Sequence, residues 1–246
     1  MIGDMRTAAL IGLDGSIDWC CLPRFDSGSV FAGLLDSERG GTWAIHPEGR
    51  WTSTQHYLPR TNILETTFRT ADGGIVTLTD FMPVAADGRP SGPHPEIHRR
   101  LRCTKGRATL NMIFMPRFEY GARTTRLELL RAGLFATDRT DQVLTLSSAK
   151  PFDWTVEQST ATTRFNLEKG EERWRCKVRS VEPDRPWPSG STTPRKGSKR
   201  RQRFTSYRSA TMPVWYAFTS SRCSATSRLS PSKNAIPSPI RMGRME

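Results

Sequence analysis

Ala8-Ala9-Leu10-Ile11, Asp14-Gly15-Ser16 and Ile17-Asp18-Trp19 make up the segment that points most directly to the fold. Two short apolar segments flank an Asp-Gly pair, and Asp-Gly supplies the positive backbone angles of a two-residue turn that matches strand twist. The stretch therefore predicts a β-hairpin. Ahead of it stands Gly3-Asp4-Met5-Arg6-Thr7, and behind it Leu22-Pro23-Arg24-Phe25-Asp26-Ser27. Pro23 cannot donate to a ladder, so the second strand ends there.

The same pattern recurs downstream. Thr66-Thr67-Phe68-Arg69-Thr70, a turn at Asp72-Gly73-Gly74 and Ile75–Phe81 predict a second hairpin. Ile75, Thr77 and Thr79 fall on one face, with Val76, Leu78 and Phe81 assigned to the other. Residues 84–95, with Gly88, Pro90, Gly92, Pro93 and Pro95, read as a loop. Further strands are expected at 110–115 (ended by Pro116), 133–137, 142–147, 152–156 and 162–167. One helical turn is expected near Val30–Leu35. Many short strands with almost no helical periodicity predict an all-β fold, an antiparallel β-sandwich.

Charge divides the chain in two. The whole carries +13, yet residues 1–173 hold 21 basic and 21 acidic side chains, while 174–246 hold 16 and 3. The first part, at about 170 residues, is ample for one core. The second, dense in Arg, Ser, Thr and Pro, has sparse and unphased apolar residues apart from Pro213–Phe218. Such a composition cannot bury enough surface to offset its conformational entropy, so a disordered basic tail is expected from 174 to 246. No run of about 18 apolar residues spans a membrane. The start lacks a basic and apolar leader, and five cysteines without C-x-x-C spacing suit a reducing, cytoplasmic setting.

The opening stretch resembles the N-terminal domain of bacterial and archaeal glycoside hydrolase family 15 proteins, the glucoamylases and trehalases. Four more blocks keep the family's order: Tyr57-Leu58-Pro59 with Thr61–Thr66, Thr79–Pro83, His98–Cys103 with Gly106, and Pro116–Gly121. The resemblance covers roughly the first 170 residues and fades near Trp174, where the abrupt change of composition suggests a reading-frame change. It implies a large sandwich of the supersandwich type, and an inverting hydrolase whose two catalytic glutamates lie on a separate helical barrel. No residue here matches those glutamate motifs, so no catalytic residue is assigned, and the domain is expected to be inactive alone. An α-glucan or trehalose is implied only through a full-length relative. A docking face left without its barrel implies self-association.

Four residues are candidates for substrate contact. Trp19 and Phe25 offer flat apolar area to a sugar ring, as do Trp43 and Trp51, although core packing competes for all of them. Arg24 and Asp26 flank Phe25 just past a strand and are the polar candidates, with a local salt bridge as the competing role. This keeps a carbohydrate-binding module open as the alternative function. Asp14 and Asp18 read as turn-forming rather than catalytic. His94, Glu96 and His98 would share one face of an extended segment, but no fourth ligand accompanies them, and no metal or cofactor is assigned. Arg195–Arg201 could neutralise phosphates. No recognisable nucleic-acid module accompanies that run, so nucleic acid is disfavoured as a partner.

Overall fold

The structure is a computed structural model and describes residues 1–85, 94–138 and 142–181. Its strands, numbered in chain order, form three antiparallel sheets. The first contains β1 (Ile2–Gly3), β2 (Ala8–Ile11), β3 (Ile17–Cys21) and β4 (Ser29–Phe31), in that order. The second runs β14 (Thr155–Glu157), β15 (Thr160–Glu168), β10 (Arg107–Met115) and β5 (Thr42–Pro47). The third has eight strands: β11 (Arg126–Leu130), β12 (Gly133–Thr137), β13 (Val143–Ser147), β16 (Glu172–Val181), β9 (Glu96–Lys105), β8 (Ile75–Phe81), β7 (Leu64–Thr70) and β6 (Trp51–Tyr57). The helical element among the described residues is a single 3₁₀ turn, Glu119–Gly121. No described helix is long and apolar enough to cross a membrane.

Strict alternation of buried and half-exposed positions along β8, β9 and β10 gives each strand one apolar face. The second sheet lays β10 and β15 over β8 and β9, and β5 over β7. Trp43, Phe31, Phe68, Phe114 and Phe118 fill the interior, each fully buried. Phe114 meets both Phe31 and Trp43 edge-on, at 6.0 and 6.1 Å between centroids. This geometry aims a positive ring edge at a negative ring face.

Several local expectations change. Both Asp-Gly turns lie in loops longer than two residues: β2 and β3 are joined by residues 12–16, and β7 and β8 by 71–74. Gly15 and Gly73 still supply positive φ, at 78° and 89°. Val30 and Phe31 belong to β4 rather than to a helical turn, and residues 33–35 form a turn after it. Phe152 and Trp154 precede β14 rather than lying in it. In β8 the even positions point inward, so Phe81 lies on the half-exposed face and Asp80 takes the buried place that the apolar pattern had given to Phe81.

That inward Asp80 has a partner. Arg99 of β9 is also fully buried, and its Nε and Nη2 donate to the two carboxylate oxygens at 2.9 and 3.2 Å. Arg99 Nη1 donates to the carbonyl of Trp43 at 2.6 Å, and Nη2 to that of Gly15 at 2.6 Å. The guanidinium carbon sits 5.0 Å from the Trp43 ring centroid. One side chain therefore ties β8 and β9 to β5 in the facing sheet and to the Asp14-Gly15 loop of the first. The planar fork of arginine suits such donation to several acceptors where a lysine ammonium would not. Gly15 is required at its position. A Cβ there would stand 2.3 Å from the Ile45 carbonyl oxygen, whose own N–H donates back to Gly15.

The strand β16 crosses the change of composition at 173/174. Its residues 172–173 and 176–179 pair with β9 across a register shift, and 177–181 pair with β13. Ladder hydrogen bonds belong to the backbone, so a basic stretch can occupy the middle of a sheet. The remainder of the expected tail, 182–246, lies outside the described residues.

Candidate functional site

The two motif segments flanking the first hairpin come together in space. Asp4, buried, accepts the backbone N–H groups of Arg6 and Thr7 at 3.0 Å each, closing a tight turn with Met5 at φ 74°. An aspartate side chain standing in for a turn carbonyl is the physical reason for this residue type here. Thr7 then donates its hydroxyl to the Cys21 carbonyl, and Phe25 donates its N–H to the Arg6 carbonyl at 2.9 Å. The turn at 4–7 is thus laced to the loop that leaves β3 through the cis Leu22–Pro23 bond.

Between them lies an open cavity of about 530 Å³, lined by Met5, Arg6, Pro23, Arg24, Phe25, Asp26 and Pro95. Phe25 is 70% exposed. Arg24 and Asp26 make a bidentate pair, Nε to Oδ1 at 2.8 Å and Nη2 to Oδ2 at 3.0 Å, with both side chains in solvent. Three of the four candidates from the sequence therefore meet at one cavity.

Trp19 does not join them. It packs half-buried against Tyr120 at 5.8 Å. Trp43 is sealed in the core, and Trp51 meets Phe68 edge-on at 5.1 Å, so neither extends a sugar platform at this cavity. Met5, Arg6 and Pro95 are lining residues that the sequence reading passed over. The signal for Met5 and Arg6 was the Asp4 turn, whose meaning depends on where Phe25 lands.

The electrostatics favour recognition over acid–base chemistry. A general acid for glycoside cleavage needs a carboxyl raised toward neutrality. Asp26 is displaced the other way, held below the ordinary carboxylate range by its hydrogen bond from Arg24. Burial raises Asp80, against the pull of Arg99, but that carboxyl has no route to a substrate. Asp14 Oδ1 and Asp18 Oδ2 stand 2.6 and 2.7 Å from the hydroxyl of Ser16, inside the loop they shape. Glu96 and His98 pair with each other at 2.9 Å. Among the described residues no group of three His, Cys, Asp or Glu is placed to hold a metal ion.

Comparison with known proteins then decides the family. The model of the trehalase-like N-terminal domain matches residues 1–179. The chain belongs to the trehalase-like N-terminal domain family. Among its relatives, the trehalase of Thermoplasma volcanium is 38% identical over 141 residues, covering 56% of this chain and 22% of the relative. That of Thermoplasma acidophilum is 35% identical over 137 residues, covering 53% and 22%. The trehalase of Mycobacterium tuberculosis is 26% identical over 191 residues, covering 72% and 27%. This trehalase-like domain thus spans about a fifth to a quarter of the length of these relatives. The family match also runs past Trp174, in keeping with the backbone pairing of β16.

Proposed function

We propose that this chain is the non-catalytic β-sandwich domain of a glycoside hydrolase family 15-type trehalase system, and that it supports a catalytic barrel rather than cleaving sugar itself. The observation that carries the reading is the family match over 1–179, set beside trehalases several times longer than the matched region. Trehalose is favoured over a starch-type glucan because the relatives carry the name trehalase. Large apolar residues are exposed at both ends of the first sheet, Met5 and Phe25 at one and Leu13, Leu34 and Leu35 at the other, each at least 60% exposed. Apolar exposure of this kind suits a surface that meets another domain. Buried free thiols at Cys20, Cys21 and Cys103 support a reducing, cytoplasmic compartment.

The supporting role is tested in the Thermoplasma volcanium trehalase by deleting the region this chain matches. Loss of soluble, folded enzyme is the expected result, and a deletion variant with unchanged yield and melting temperature would overturn the role. A second reading, saccharide binding at the Phe25 cavity, is favoured by one observation: an aromatic ring 70% exposed beside a fixed guanidinium–carboxylate pair. Phe25→Ala should then weaken the binding of maltooligosaccharides, measured by titration calorimetry.

A further inference from the structure

A second cavity opens far along the sandwich, where two sheet margins face each other. β11 is the outermost strand of the eight-stranded sheet, and β14 is the outermost strand of the second sheet. The two are in contact. β14 has three residues against five in β11, and the segment ahead of it is not in the ladder. The second sheet therefore stops short, and a mouth of about 510 Å³ is left between the margins. That size falls within the roughly 300–1,000 Å³ typical of small-molecule sites.

The mouth has a defined chemistry. Its floor includes Leu129 and Leu146, which lie in register on either side of Leu134. Leu134 and Leu146 are buried, whereas Leu129, at the margin, is 49% exposed. Gly133 passes close to β13: a Cβ there would stand 2.1 Å from the Leu146 carbonyl oxygen. The wall is aromatic, with Phe152 and Trp154 half-exposed, their centroids 5.7 Å apart and their planes at 65°. Phe152 is held from behind by Phe165 at 4.9 Å and by the Arg173 guanidinium 5.4 Å from its centroid. The rim is polar, with Arg131 at the tip of the β11–β12 hairpin, and with Ser147.

We propose that this mouth is a saccharide-binding pocket, and that its ligand is an α-linked glucose disaccharide. A pyranose has one apolar C–H face and a girdle of hydroxyls. Trp154, steadied by Phe152, would take that face as aromatic rings take other flat apolar surfaces. The guanidinium of Arg131 presents donors to hydroxyl oxygens at the rim. The choice of sugar rests on the trehalase reading above, whereas the pocket and its aromatic wall do not.

The test is an NMR titration of the isotope-labelled full chain with trehalose and maltose, following the indole N–H signals. A saturable shift of the Trp154 indole is expected with at least one of the two sugars. Trp154→Ala should weaken the binding by about tenfold or more, as removal of an aromatic anchor commonly does. Arg131→Ala, at an exposed hairpin tip, should weaken binding without changing the melting temperature, so the test stands even if Trp154→Ala unfolds. His56→Ala, an exposed position on β6 at the opposite margin of the eight-stranded sheet, should leave binding unchanged. The proposal is overturned by the absence of saturation with either sugar, by binding insensitive to both Trp154→Ala and Arg131→Ala, or by binding lost in His56→Ala. Capture of the apolar dye ANS at this mouth with no sugar response would also overturn it. None of these outcomes bears on whether the chain supports a trehalase barrel.

Discussion

Arg99 joins three sheets through four hydrogen bonds. A buried ion pair adds little net stability over a well-packed apolar pair, yet removing one member leaves a buried charge and unpaired acceptors. Arg99→Met is therefore expected to lose about 3–5 kcal/mol in a urea melt. A loss below about 1 kcal/mol would show that the three sheets are held by packing alone. Asp26 gives a gentler test. Its folded value is depressed, so its small, solvent-screened contribution is present above the ordinary carboxylate range and is lost as pH falls through the folded value. Carboxyl NMR should show Asp26 titrating below the ordinary Asp value of about 3.9, and Arg24→Ala should return it there. No change in Arg24→Ala would mean that the fork is not formed in solution.

At the scale of elements, β16 is an interior strand of the third sheet, flanked by β13 and β9. A chain ending at Val181 should keep its cooperative melt. A chain ending at Arg173 should lose it, because β11, β12 and β13 would be cut off from β9 and two margins would open. Equal melting of the two truncations would contradict this topology. Strands with alternating or β-branched character, such as Ile75–Phe81 and the 110–115 part of β10, were legible in the sequence. β9 was not, because Glu96, His98, Arg99, Arg100 and Arg102 disguise its inward Ile97, Leu101 and Cys103. β16 was hidden by its basic composition, which says nothing about backbone pairing. At the candidate site the loop residues Arg24, Phe25 and Asp26 were legible as a motif. The contributions of Met5 and Arg6 depend on two long-range hydrogen bonds, from Thr7 to Cys21 and from Phe25 to Arg6, that no local pattern announces.

For the whole molecule, most of the positive charge falls beyond the sandwich: residues 1–173 are balanced, and β16 adds Arg175, Lys177 and Arg179 to it. Its exposed aromatic side chains include Phe25, Tyr57 and Tyr120, and the raised carboxyl identified in it, Asp80, is sealed in the core behind Arg99. Hydrolysis with inversion needs two accessible carboxyl groups placed about 6.5–9.5 Å apart around the glycosidic bond. Under the proposed function, that chemistry belongs to a separate barrel. The most direct measurement is glucose release from trehalose by the purified chain, followed with a coupled glucose assay against a no-enzyme blank. No release above the blank is expected at any pH where the fold persists. Release that grows with protein concentration and co-purifies with the chain would contradict it.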